Sequence, residues 1–270
     1  MAKKKTSNIG LISPGVYYAD VLATGLPPEI ADMTLYVGDI VPGSLARDDD
    51  EDTETILKSQ ETGETFADLL GEEGTKRFKF NTWNFDVDNL KLAMGGAVDT
   101  EGTWSAPIEA FRGNFYAMAY ISRADEDSEL HTVIKYPKVS LKGMREGTQA
   151  EDDGDKIMFT ATLYKPKDAS GIKKPDRYIE KVPAAPVNAV IDDTADSMDW
   201  DYLQNWDAYA DYEYSDDGGS TWTTCTAKPQ TGFTGAIPIG DAQIRVKADT
   251  ASDTKHRAGL PLKNDVAFTL

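Results

Sequence analysis

Ile157-Met158-Phe159-Thr160-Ala161-Thr162-Leu163-Tyr164 alternates without a break, with Ile, Phe, Ala and Leu at the odd positions and Met, Thr, Thr and Tyr at the even ones. A repeat of two puts successive side chains on opposite faces of an extended chain, whereas a helix brings apolar positions together every three to four residues. The stretch predicts a β-strand, and the neighbouring sequence extends the reading. Phe115, Ala117, Ala119 and Ile121 alternate with Tyr116, Met118 and Tyr120. Both sets are apolar, which predicts a strand buried on both sides. His131 to Leu141 follows as another strand, in which Pro137 marks an edge or a bulge. The polar run Ala124 to Glu129 joins these two as a hairpin turn, so the three strands are expected to be consecutive in an antiparallel sheet.

One short helix is expected. Asp86 can cap Val87-Asp88-Asn89-Leu90-Lys91-Leu92-Ala93-Met94, and Gly95-Gly96 supplies a left-handed stop. Leu90, Ala93 and Met94 share one face, and a helix this short must dock on the sheet to persist. Before it, Val41 to Gly74 reads as a long acidic loop. It holds the charge run Arg47-Asp48-Asp49-Asp50-Glu51-Asp52, read as a solvated tip, and the apolar cluster Phe66, Leu69 and Leu70, which needs a surface to cover it.

Val182-Pro183-Ala184-Ala185-Pro186 divides the chain. It ends a Lys/Pro/Gly-rich stretch from about residue 165 in which neither period is sustained, a linker composition. Residues 1–180 are expected to form one domain and 183–270 a second. In the second, Met198, Trp200 and Tyr202 alternate with Asp199 and Asp201, and Trp206, Ala208, Ala210, Tyr212 and Tyr214 with Asp207, Tyr209, Asp211 and Glu213. Ile244, Val246 and Ala248, then Val266, Phe268 and Leu270, continue the pattern. Apolar-in, polar-out strands with turns between them predict a seven-stranded β-sandwich. The fold class is mainly β.

The chain has 270 residues, with 28 Lys plus Arg against 46 Asp plus Glu and a formal net charge of −18. The acidic excess is spread over both parts, 32 against 21 in residues 1–180 and 14 against 7 in residues 181–270. This balance disfavours a protein that grips phosphate backbones, and fits one that stays near nucleic acid without adhering to it. A single cysteine, Cys225, excludes an internal disulfide framework and thiolate-rich metal clusters, and two histidines leave little for a metal site. Neither metal nor cofactor is expected. The opening Met1-Ala2-Lys3-Lys4-Lys5 is basic, but Gly10, Pro14, Gly15 and Asp20 interrupt the apolar residues behind it, and no secretion signal or membrane span is expected.

Ser215-Asp216-Asp217-Gly218-Gly219-Ser220-Thr221-Trp222 has the S-x-D-x-G-x-T-W spacing of the Asp-box. Ser215, Asp217, Gly219, Thr221 and Trp222 are expected to build a hairpin, with the carboxylate and glycine holding the turn and the tryptophan packed beneath. A sialidase, where the motif recurs, needs several copies, an arginine cluster and a longer chain. Asp152-Asp153-Gly154-Asp155 lacks the flanking helices and distal glutamate of a calcium-binding EF-hand and reads as a turn. There is no phosphate loop, nucleophile elbow or spaced Cys–His pair, so no catalytic residues are assigned. Trp206 falls in the core register, and Tyr209, on the polar side, is the candidate for surface binding.

Thr82-Trp83-Asn84-Phe85-Asp86-Val87-Asp88-Asn89-Leu90-Lys91-Leu92-Ala93-Met94-Gly95-Gly96, the aromatic strand at Phe115–Ile121, Tyr136-Pro137-Lys138-Val139-Ser140-Leu141 and Phe159-Thr160-Ala161 occur in the order found in phage major tail tube proteins, and over roughly residues 10–170 the chain resembles that family. The second part looks like a fibronectin type III or immunoglobulin-like module, carried by Trp200, Tyr212-Glu213-Tyr214-Ser215 with its Gly-Gly-Ser-Thr-Trp turn, and Ile244-Arg245-Val246-Lys247-Ala248. It departs from the type III pattern at Ala242, where a tyrosine is usual. The first resemblance implies a virion protein without enzymatic activity, a β-sandwich or barrel subunit of hexameric rings stacked into a tube. Its partners would be copies of itself and the tail terminator, tape measure and distal tail proteins. DNA would pass unbound through an acidic lumen. Phe66, Leu69 and Leu70 of the loop, with Leu90 and Leu92 of the helix, would meet neighbouring subunits, and the Lys3–Lys5 arm would offer cations to the acidic run. An outer sandwich would collide with a contractile sheath, so it suits a siphophage-like tail, as decoration or for loose attachment to glycans. The alternative is a surface carbohydrate-binding adhesin of two β-sandwich domains, which would need a secretion signal.

Overall fold

The stretch at 157–164 lies inside a sheet of eight strands. The structure, a computed structural model, describes residues 15–33, 35–41, 43–50, 54–58, 65–70, 74–146, 155–233, 235–249 and 256–269, with backbone alone for Ala31, Asp49, 54–58, 65–70 and Glu146. It is mainly β, and among the described residues there is one α-helix. Two compact units comprise, respectively, Gly15–Ala119 with Lys135–Tyr178, and Tyr120–Ile134 with Ile179–Leu270. The sequence boundary near Val182 falls close to the last of these divisions. A single linear cut could not represent the transfer of the 120–134 hairpin to the later unit.

The first eleven strands are β1 (Gly15–Ala19), β2 (Leu35–Tyr36), β3 (Ala46–Asp49), β4 (Glu54–Lys58), β5 (Thr65–Leu70), β6 (Lys76–Thr82), β7 (Ala97–Val98), β8 (Trp104–Ser105), β9 (Asn114–Ile121), β10 (Leu130–Glu146) and β11 (Lys156–Leu163), with the helix α1 (Val87–Met94) after β6. The large sheet runs β2-β1-β9-β10-β11-β6-β3, and β12 (Tyr178–Pro183) also pairs with β10. The antiparallel register sets Gly143 opposite Phe159 and Phe159 opposite Phe80, with Leu141, Ala161 and Phe78 in the next row. Leu141, Ile157, Phe159, Ala161 and Phe80 are fully buried, and the Phe80 and Phe159 rings stack with centroids 5.1 Å apart. The intervening side chains of Met158, Thr160 and Thr162 are half-buried, as alternation requires.

Helix α1 packs near this buried face. Asp86 accepts a hydrogen bond from the Asn89 N–H at 2.7 Å, and the chain leaves the helix through Gly95 and Gly96, both at positive φ. A Cβ at Gly96 would lie 2.1 Å from the Ser105 carbonyl oxygen. The buried helix face corrects the expected one. It consists of Asn89, Leu90, Leu92 and Ala93, with Met94 only half-buried. The polar Asn89 turns inward because its side-chain amide donates to the carbonyls of Val37 (2.9 Å) and Asn84 (3.0 Å). That rotates the buried arc away from Met94.

Other expectations need correction in this unit. Val41–Gly74 is no structureless loop. β3 joins the large sheet along β6, and β4 pairs with β5 in a two-stranded antiparallel sheet of its own. The acidic run is in part an edge strand, where Asp48 meets Lys79 at 2.7 Å and Asp50 meets Arg77 at 3.0 Å. Its cationic partners thus lie on the adjacent strand of the same chain, and charge on an edge strand discourages stray pairing. The β9 strand is buried on both sides only over Ala117–Ala119, and Phe115 is 50% exposed. β10 as a whole is an interior strand, between β9 and β11, and its pairing with β11 starts at Val139, after Pro137. The Asp152–Gly154 turn and the Lys3–Lys5 arm lie outside the described residues.

The second unit contains β13 (Val187–Asp192), β14 (Ser197–Asp201), β15 (Tyr212–Ser215), β16 (Thr223–Thr224), β17 (Gln230–Thr231), β18 (Gln243–Val246) and β19 (Leu262–Lys263). They form a three-stranded sheet, β13-β14-β17, and a four-stranded one, β16-β15-β18-β19. Met198 and Trp200 from the first and Tyr212, Ile244, Val246 and Leu262 from the second share one core, which makes this a seven-stranded sandwich. Residues expected as linker end in β12, and Lys181 donates to the Thr132 hydroxyl at 2.7 Å. The alternating run from Trp206 is strand only from Tyr212. Before it the chain makes a 3-10 turn over Tyr209–Asp211, and the Tyr212 hydroxyl accepts from the Leu203 N–H and donates to the Trp206 carbonyl, both at 2.9 Å. This hydroxyl anchors the loop, while Ala242 is fully buried in the core. The closing strand is Leu262–Lys263. Of the expected 266–270 set, Phe268 is buried and bridges Ile237, but Val266 is 57% exposed.

Gly143 tests how the helix meets the sheet. A Cβ there would sit 2.6 Å from the Met158 carbonyl oxygen and 2.9 Å from the Ala93 Cβ. Gly143→Ala is expected to destabilise by about 1–3 kcal/mol, as for overpacking, read as a lower urea midpoint with the slope retained. An unchanged midpoint would refute this contact.

Candidate functional site

The sequence offers no catalytic constellation to locate, so the candidates are the surfaces and turns singled out above. Phe66, Leu69 and Leu70 lie on β5, and their side chains fall outside the described residues. Leu90 and Leu92 correct their expected role. They are 9% and 4% exposed in this chain's own core, so they have little surface left for a neighbouring copy. The sheet side opposite the buried Phe80–Phe159 row is the more open one. It carries Arg77 and Lys79 of β6, with Lys142 and the 57% exposed Met144 of β10. Arg77 and Lys79 are paired there with Asp50 and with Asp48 of β3, so this side mixes paired charge with exposed apolar surface.

The Asp-box hairpin is built around one carboxylate. Asp217 Oδ1 accepts from the Ser215 hydroxyl (2.7 Å) and the Thr221 N–H (2.9 Å), while Oδ2 accepts from the Thr221 hydroxyl (2.7 Å). The Gly219 N–H donates to the Ser215 hydroxyl at 2.9 Å, and the Trp222 indole N–H returns to the Gly219 carbonyl at 2.9 Å. Gly218 and Gly219 both have positive φ, which the tight turn requires. Donation from Thr221 and Ser215 holds the Asp217 carboxyl down at about 2, from an ordinary 3.8. The Arg245 guanidinium stacks 3.6 Å over the Trp222 ring and donates to Glu213 at 2.6 Å.

A second turn of the same kind went unnoticed in the sequence. Asp99-Thr100-Glu101-Gly102-Thr103-Trp104 shares the D-x-x-x-T-W spacing with Asp217–Trp222 but lacks the preceding serine and has Glu101 where the motif has glycine. Asp99 accepts from the N–H groups of Thr103 (2.8 Å) and Glu101 (2.9 Å), and the Trp104 indole donates to the Gly95 carbonyl (2.8 Å). A search for the Asp-to-Thr-Trp spacing alone would have found it. Here the tryptophan ties the turn to the end of α1.

Tyr209 is 43% exposed, and Trp206 packs partly buried against the sandwich core. Cys225 is buried, and burial pushes its thiol up to about 12. Both histidines are largely buried, with Nδ1 2.8 Å from the carbonyls of Ser122 (His131) and Arg257 (His256). Among the described residues no group of three His, Cys, Asp or Glu side chains is placed to hold a metal, and no helix is long and apolar enough to cross a membrane.

No protein-family model matches the chain, and no curated protein matches it. Any assignment of function therefore rests on the sequence resemblance and the geometry.

The depressed Asp217 carboxyl carries a pH signature. Its stabilising contribution is fully present above its unfolded value near 3.8 and disappears as pH falls through about 2. Asp217→Asn is expected to lower the melting temperature at pH 7, with the difference from the parent chain narrowing between those two values. A difference that stays constant throughout would exclude Asp217 as the source.

Proposed function

We propose that this chain is the subunit of a phage tail tube, self-assembling into stacked rings that conduct DNA, with an outer immunoglobulin-like sandwich that decorates the tail or attaches it loosely to glycans. The observation that carries the reading is the eight-stranded sheet whose acidic edge strand β3 leads into the separate β4–β5 hairpin. A lone two-stranded hairpin is marginal in water, so covering it with a neighbouring subunit gives it a role. The net charge of −18 fits a conduit that repels DNA. The acidic lining would come from surfaces other than the charge-paired side of β6 and β3. The remaining partners would be the terminator, tape measure and distal tail proteins, and the location the virion.

Electron microscopy of the purified chain tests the reading directly. Rings or tubes of regular diameter are expected, and a strictly monodisperse monomer at high concentration would count against them. Deleting residues 51–73 removes β4 and β5 but keeps β3, which the sheet needs along β6. That variant should keep its β-sheet circular dichroism and lose ring formation. Persistent rings would rule out the hairpin as the inter-subunit element.

A further inference from the structure

Within the first unit, a cleft of about 350 Å3 opens at the ends of β6 and β11, lined by Thr75, Lys76, Thr162, Tyr164, Lys165 and Lys173, with Asp176 paired to Lys76 at 3.2 Å. Its cationic character is a local exception. Residues 165–177 carry five Lys or Arg and two Asp, in a chain of net charge −18. Beside it stands an exposed aromatic pair. Phe115 and Tyr164 meet edge to face at 5.4 Å, are 50% and 42% exposed, and the Lys138 ammonium lies 4.5 Å over the Phe115 ring. Lysines next to accessible rings suit a partner that offers carboxylates alongside apolar side chains.

We infer that this cleft and its aromatic rim receive the β4–β5 hairpin of a second copy of the chain. The hairpin segment 51–73 has that composition. It contains eight Asp or Glu and one Lys, and Phe66, Leu69 and Leu70 precede the pair Glu72-Glu73. The acids meet Lys165 and Lys173, and the apolar residues cover Phe115 and Tyr164. The inference rests on the tube reading and names its receiving surface. It also implies that association weakens as salt screens the contact.

The test combines binding with a charge swap in the full-length chain. A labelled peptide of residues 60–73 is expected to bind the parent at low salt and to bind Lys165→Glu/Lys173→Glu about tenfold more weakly, with the melting temperature preserved. By sedimentation, that variant and Glu72→Lys/Glu73→Lys should each fail to self-associate, and an equimolar mixture should recover association, because each then complements the other. Unchanged peptide affinity, or a mixture that stays monomeric where the parent associates, overturns the proposal. So does binding of a single-stranded oligonucleotide, and not the peptide, through the same lysines. A parent that stays monomeric yet binds the peptide through the lysines refutes the tube and retains the cleft. A lysine variant that assembles as the parent does refutes the cleft and retains the tube.

Discussion

The register of β10, β11 and β6 is the constraint on which the first unit depends. It stacks Gly143, Phe159 and Phe80 in one row and Leu141, Ala161 and Phe78 in the next, so that Gly143 lies beside Phe159, Ala161 beside Phe78, and the rings of Phe159 and Phe80 stack on each other. A shift by one residue would send Phe159 and Phe80 to the open side and bring Thr160 and Lys79 inward. Each fully buried phenylalanine is worth about 1.5–3 kcal/mol, which makes the alternative register untenable. The same row fixes how near α1 can come, because Gly143 leaves space where Ala93 approaches.

Charge follows from that arrangement. With one side of the sheet apolar, the polar residues of β6 collect on the other, and β3 supplies the acids that neutralise them, through Asp48 to Lys79 and Asp50 to Arg77. These pairs are largely exposed, so each adds little to stability. Their effect is to occupy the sheet edge with charge and to leave the continuing segment, the hairpin, with an unbalanced acidic excess.

Turn chemistry supplies the second recurring constraint. In both Asp99–Trp104 and Asp217–Trp222 a carboxylate collects the N–H of a threonine four residues on, and the following tryptophan donates its indole N–H to a backbone carbonyl. One turn braces the end of α1 and the other the β15–β16 connection. In both turns the hydrogen bonds of the carboxylate close the turn itself, which is why these acidic residues read as architecture.

Alternation by itself determined the mainly β fold, the strands around Ile157–Leu163 and Tyr212–Ser215, and the capped helix at Val87–Met94, since periodicity and caps are local properties. The Asp217 hairpin was legible for the same reason, as every hydrogen bond made by the Asp217 carboxylate spans at most four residues. What tertiary structure alone decided involves partners distant in the chain. Asn89 turns inward because its amide reaches the carbonyls of Val37, 52 residues earlier, and Asn84. Leu92 is buried because that rotation carries it toward the sheet. The acidic run becomes an edge strand because β6 offers Arg77 and Lys79. Tyr212 reaches back to Leu203 and Trp206, delaying to Tyr212 a strand that alternation would have begun at Trp206. A local pattern specifies which residues share a face, whereas the groups that face meets are set only when remote segments come together.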